Sequence, residues 1–164
     1  MEYKVTKLNR MVFIGFEKIF SNDNSYQEIP KYWNEIYNKY ANIESSNKYK
    51  KAFIDNNIGE YAICVDDLTG NKFRYLIAGK YEGGEVLDGM VLYEFGESEW
   101  AIFDCVGPIP EALQALNTKI FKEWLPYNDE YKLNGNATIE WYSNQDNLTD
   151  IFYHSSIWIP VKRK

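Results

Sequence analysis

Glu140 is the residue whose type and setting point most directly to chemistry. It lies inside Ala-Thr-Ile-Glu-Trp-Tyr, residues 137–142, a run otherwise made of strand-forming and aromatic residues. Facing solvent, it would be an ordinary outward residue of a strand. Facing an internal cleft, it would be a carboxylate among rings. Burial would then raise its pKa, and its charged form would await a cationic ligand or act as a general base. Strand alternation puts Thr138 and Tyr142 on its face. Trp33, Tyr75 and Tyr153 are the aromatic candidates. Each fits a core position, and each fits a cavity wall that stacks on flat ligands or draws cations to its π face.

Other chemistries find little support. The chain has no G-x-G-x-x-G, no phosphate-binding G-x-x-x-x-G-K-[ST], no G-x-S-x-G and no H-E-x-x-H. Its one histidine, His154, is followed by Ser155 and Ser156, but neighbours along a strand point to opposite faces, so a triad is not expected there. Cys64 and Cys105 each fall inside an expected strand, which reads as two small buried thiols in a reducing cytoplasm. No cofactor or metal site is expected. Asn136-Ala-Thr and Asn147-Leu-Thr match the glycosylation sequon, but no secretory signal is expected, so both read as chance matches.

The net charge of −6 over 164 residues argues against a nucleic-acid grip, which needs a basic face. Lys48, Lys50 and Lys51 read as a solvated loop, and Lys162, Arg163 and Lys164 as a solvated tail. No apolar run approaches the length of a membrane span. Aromatics reach 17%, more than an ordinary core requires. Some are therefore expected to line a surface or cavity.

The elements that must hold these residues occur twice. In the first half, Arg10–Phe20 reads as a strand and Ser25–Tyr40 as a helix. That helix is opened by a capping box of Ser25 and Glu28 and striped by Ile29, Trp33, Ile36, Tyr37 and Tyr40. Residues 42–57 read as a polar loop with at most a short helical turn. Strands at about 59–65 and 73–81 flank the turn Asp66–Asn71 and should form a hairpin. Gly83-Gly84 and Asp88-Gly89 mark the join. In the second half Met90–Phe95 is a strand candidate and Glu99–Val106 a strand. Pro110 starts a helix striped by Leu113, Leu116, Ile120, Phe121 and Trp124, and Leu125-Pro126 ends it. Strands at 138–143 and 152–161 close the chain, with Pro160 suggesting an edge or strand end. The expectation is an α+β fold: duplicated β-α-β-β modules, about 1–85 and 86–164, related by a pseudo-two-fold axis. They form one domain, an antiparallel sheet with two helices on one side.

Several strings carry a family resemblance. Phe103-Asp-Cys-Val-Gly-Pro-Ile-Pro-Glu-Ala-Leu-Gln114, Glu123-Trp-Leu-Pro126, Ile157-Trp-Ile-Pro-Val161 and Gln27-Glu-Ile-Pro-Lys-Tyr-Trp33 resemble the GyrI-like effector-binding domain family, in order and over essentially the full length. That family includes ligand domains of AraC- and MerR-type bacterial transcription regulators and stand-alone proteins. The resemblance implies a pocket at the pseudo-two-fold seam that binds lipophilic, often cationic molecules. By matching position, Glu140 would receive the ligand's positive end, with Tyr153, Trp33 and a helix-two residue near Leu113 as walls. Tyr75 and Tyr142 join them from the residue reading. Many members carry Glu before I-W-I-P, where this chain has Ser156, so a second acidic group is missing. The resemblance also implies two alternatives. One is a hydrolase of cyclopropanoid toxins using Glu140 as base and Tyr153 as acid. The other is a protein-interaction module, with a topoisomerase such as gyrase or a separate regulator as partner. The expected setting is the cytoplasm, without direct nucleic-acid or membrane binding.

Overall fold

A computed structural model describes residues 1–42, 47–143 and 147–164, and for Asn47 the backbone alone. The fold is α+β. The chain divides into two compact units, Met11–Phe95 and a second made of Met1–Arg10 with Gly96–Lys164.

In the unit Met11–Phe95, β2 (Met11–Ser21), β3 (Tyr61–Val65), β4 (Lys72–Lys80) and β5 (Val91–Phe95) form an antiparallel sheet ordered β3-β4-β2-β5. β3 and β4 make the hairpin expected across Asp66–Asn71. Arg74 braces it: Nε and Nη2 donate to the two Asp67 carboxylate oxygens at 3.0 and 2.6 Å, and Nη1 donates to Glu17 on β2 at 2.8 Å. The Arg74 guanidinium holds the Asp67 carboxyl below its usual pKa. Helix α1 (Ser25–Ile36) continues into a π-helical turn, Tyr37–Ala41, and α2 spans Asn47–Asn56. Phe20 meets Tyr32 of α1, and Phe16 stacks on Phe53 of α2. Phe16 and Phe20 share one side of β2, so both helices cover that side.

In the other unit the order is β1-β6-β9-β8, again antiparallel, with β7 also paired to β9. The strands are β1 (Tyr3–Leu8), β6 (Ser98–Val106), β7 (Tyr131–Leu133), β8 (Ala137–Tyr142) and β9 (His154–Arg163). Helix α3 (Glu111–Lys119) runs into a second π-helical turn, Ile120–Trp124, and a last α-helical turn, Leu125–Tyr127. Trp124 sits edge-on to both Phe103 and Tyr3 at 5.0 and 5.1 Å. The β-α-β-β order thus recurs, β2-α1-β3-β4 and β6-α3-β8-β9.

Five local expectations are corrected. Residues 47–56 form a full helix, because Tyr49 and Phe53 find ring partners in Tyr40 and Phe16 that the polar local sequence does not announce. Helix α1 starts from Asn24, whose carbonyl accepts from the Gln27 and Glu28 amides, and no side chain caps it, so the Ser25–Glu28 box does not form. The second helical segment passes through Pro126, since the widened π-turn before it relaxes the spacing to the carbonyl a proline ring would strike. Pro160 lies in an inner strand. It falls where β9 changes partner from β8 to β7, so its missing N–H interrupts neither ladder. Residues 162–163 belong to β9 rather than a solvated tail, with Arg163 paired to Glu130 at 2.8 Å and the Lys164 amide donating to the Glu130 carbonyl.

Glycine matters most where backbone approaches backbone. A Cβ on Gly79 would stand 1.9 Å from the Asn56 carbonyl oxygen, while one on Gly70, at φ +79°, would meet nothing within 4 Å. Gly70→Ala should cost about 1 kcal/mol, the left-handed penalty alone. Gly79→Ala should cost more than about 2 kcal/mol, because backbone has to move. Urea unfolding of the two variants checks this, and equal losses would mean that the close approach does not govern stability.

Candidate functional site

The carboxylate candidate sits in the unit that contains β6, β8 and β9. Along β8, Thr138, Glu140 and Tyr142 share one face, and Ala137, Ile139 and Trp141 the other. Glu140 lies opposite Ile157 and Tyr142 opposite Ser155 on β9, while Ile157 lies opposite Phe103 and Ser155 opposite Cys105 on β6. Residues directly opposite on antiparallel strands present side chains to the same face. Two rows therefore run across the sheet, Cys105–Ser155–Tyr142 and Phe103–Ile157–Glu140. Trp124 packs on Phe103, so both rows lie on the helix-covered side.

The Tyr142 hydroxyl donates to Glu140 Oε2 at 2.5 Å. No Lys or Arg among the described residues pairs with this carboxylate. Burial pushes its pKa up, and the Tyr142 hydrogen bond offsets only part of that push. Yet Glu140 is not sealed, since some of its surface stays exposed. A carboxyl crowded by protein but still touched by solvent is open to a ligand. Beside it, burial raises the Cys105 thiol pKa; the Ser155 hydroxyl counters this and the Glu140 charge adds to it. The Ser155 hydroxyl itself is buried and, among the described residues, has no hydrogen-bond partner in good geometry, the Cys105 thiol being only a weak neighbour.

Two other candidates belong to this unit. Leu113 is buried on α3 with Leu116, and Tyr153 is buried just ahead of β9, where its carbonyl accepts from the Gly107 amide at 2.9 Å. Ser156, the position expected to matter for a second acid, faces away from Glu140 and accepts a hydrogen bond from Trp158 Nε1 at 2.8 Å. A carboxylate there would not share Glu140's face. His154 is exposed, while Ser155 and Ser156 are buried. Among the described residues no group of three or more His, Cys, Asp or Glu side chains could hold a metal.

The aromatic candidates of the other unit meet each other. Trp33 Nε1 on α1 donates to the Tyr75 hydroxyl on β4 at 2.8 Å. Tyr37, in the π-helical turn, stacks near-parallel to Trp33 at 6.0 Å. Both rings press on Gly59, at φ +107°, where a Cβ would lie 2.0 Å from the Tyr37 hydroxyl. Sequence reasoning missed Tyr37 and Gly59 as partners of Trp33, and Cys105 and Ser155 as same-face neighbours of Glu140. The i, i+4 spacing of Trp33 and Tyr37 was a usable signal. The others required strand register.

The repeated β-α-β-β units give the fold, and similarity to known proteins gives the class, a GyrI-like effector-binding domain. The model of the integron-associated effector binding proteins matches residues 4–161, and the chain belongs to that family. It is similar in fold to SAV2435 bound to tetraphenylphosphonium, at 22% identity and a TM-score of 0.78, over 99% of this chain and 94% of that one. A putative bacterial transcription regulation protein from Staphylococcus aureus MU50 aligns at 22% identity and 0.75, over 99% of each. An integron cassette protein from Vibrio cholerae aligns at 14% and 0.68, over 98% and 95%. No curated protein matches the chain by sequence.

The raised Glu140 pKa has a signed consequence for stability. The folded state keeps its proton at pH values where the unfolded carboxyl has lost it, so stability declines as pH rises through that window. Glu140→Gln retains an acceptor for Tyr142 and removes the titration. Thermal melts across pH should show the variant matching the parent in acid and exceeding it near neutrality. A parallel pH profile would mean that the carboxyl is not held protonated.

Proposed function

We propose that residues 1–164 act as one effector-binding domain for small amphipathic or aromatic cations. Glu140 serves as charge acceptor, and Trp33, Tyr75, Tyr142, Tyr153 and Leu113 serve as ligand-facing walls. The observation that carries this reading is the Glu140 carboxyl, crowded by protein without a cationic partner among the described residues. Such a group is costly in the empty protein, and a ligand's positive charge offsets the cost on binding. Ring faces add attraction for the same charge. The output is a ligand-dependent contribution to transcription regulation or the sequestration of drug-like compounds in the cytoplasm. Among the described residues no helix is long and apolar enough to cross a membrane.

Tetraphenylphosphonium, the ligand in the SAV2435 structure, is a suitable probe. Calorimetry should give affinity of about micromolar order, roughly −8 kcal/mol. Glu140→Gln should weaken it about tenfold or more, and unchanged affinity would remove the charge role. Because a permanent cation favours the ionised carboxyl, affinity should rise with pH through the raised Glu140 pKa, with protons released on binding. Paired titrations in buffers of different ionisation enthalpy measure that release. A pH-independent affinity without proton release would contradict the assigned titration.

A further inference from the structure

Ser155 is a buried polar group that the charge role of Glu140 does not use. It is 3% exposed, and among the described residues its Oγ has no hydrogen-bond partner in good geometry. Folded proteins leave few such groups, and each raises the question of what satisfies it. Its neighbours do not. The Cys105 thiol opposite it on β6 is a weak donor that makes no well-formed bond to it. The Tyr142 hydroxyl opposite it on β8 is given to Glu140.

Glu140, partly exposed, has one oxygen bonded within the protein and one free for a ligand. Oε2 is taken by Tyr142, and the structure gives Oε1 no protein partner among the described residues. Glu140 and Ser155 are diagonal neighbours across β8 and β9 on one face, a spacing that long side chains and a small ligand group bridge. A carboxylate oxygen and a hydroxyl oxygen thus occupy diagonal positions on one face of the sheet, both able to accept.

We propose that Ser155 and Glu140 together form an acceptor pair for the N–H groups of a primary or secondary ammonium, and that this chain selects such amines over quaternary or phosphonium cations. This rests on Glu140 receiving the ligand's charge. A quaternary cation neutralises the carboxylate but brings no donor, so Ser155 stays unsatisfied. An ammonium gives one N–H to Oε1 and another to Ser155 Oγ. Sites built to hydrogen-bond a ligand discriminate strongly against analogues that lack the bonding group.

The test titrates the full chain with a diphenylalkyl primary ammonium and with the same skeleton bearing a trimethylammonium group. The parent should bind the primary amine at least about tenfold tighter. Ser155→Ala should reduce that ratio about tenfold, while Glu140→Gln weakens both probes. Ser155→Ala should also melt no lower than the parent, since it removes an unsatisfied hydroxyl. Equal affinities in the parent, a ratio preserved in Ser155→Ala, or a clear drop in its melting temperature each overturn the role of Ser155. The reading of Glu140 survives those outcomes if Glu140→Gln still weakens the quaternary probe. A Glu140→Gln variant that binds the quaternary probe as the parent does ends that reading instead. Failure of the parent to bind either probe ends both.

Discussion

The register of β9 between β6 and β8 is the constraint on which the carboxylate site depends. Tyr142 reaches Glu140 along β8 itself, but Ser155 and Cys105 join their face only because Ile157 stands opposite both Glu140 and Phe103. A slip of one residue on β9 would turn Ser156 and Trp158 toward the helices and Ser155 away. Packing opposes that slip. Phe103, Ile157 and Ile159 are at most 1% exposed, and Trp124 closes over Phe103 from the π-helical turn. Apolar burial thus sets the alignment, and the polar groups inherit their positions from it.

The chain handles its carboxylates in two opposite ways. Asp67 and Glu17 share Arg74, whose fork supplies bonds to both and draws the Asp67 pKa down. That arrangement is closed and structural. Glu140 has a tyrosine hydroxyl instead of a cation, and its pKa moves up. A neutral donor orients the carboxylate without neutralising it, so charge recognition stays available to something else. The stability that an arginine would add is forgone at Glu140 and kept at Asp67.

Repetition of the scaffold has not meant repetition of its chemistry. Both units follow their long helix with a π-helical turn, and each turn delivers a ring: Tyr37 onto Gly59 and Trp33, and Trp124 onto Phe103 and Tyr3. The wider turn re-aims side chains that a regular helix would carry elsewhere. One unit then presents linked rings, Trp33 bonded to Tyr75. The other presents the row of Cys105, Ser155 and Tyr142 beside Glu140. The strand Tyr61–Val65 holds no acidic residue, so the carboxylate belongs to one copy alone.

Much of the scaffold was legible in the residues themselves. Alternation in 137–142 showed that Tyr142 shares Glu140's face, turn chemistry at 66–71 announced the hairpin, and the repeated strand-helix-strand-strand order stood out. These are short-range patterns, and local periodicity carries them. Helix α2 was not legible, because its sequence is polar and its order comes from Tyr49 packing on Tyr40 and from Phe53 packing on Phe16, far back along the chain. Nor was the passage of a helical segment through Pro126, which depends on how the preceding turn is wound. What tertiary structure alone decided was the company of Glu140. Ser155 and Cys105 reach it through strand pairings that span 15 and 35 positions, and pairing register is set by the burial of whole faces. No local pattern around residue 155 distinguishes a hydroxyl facing Glu140 from one facing Trp158.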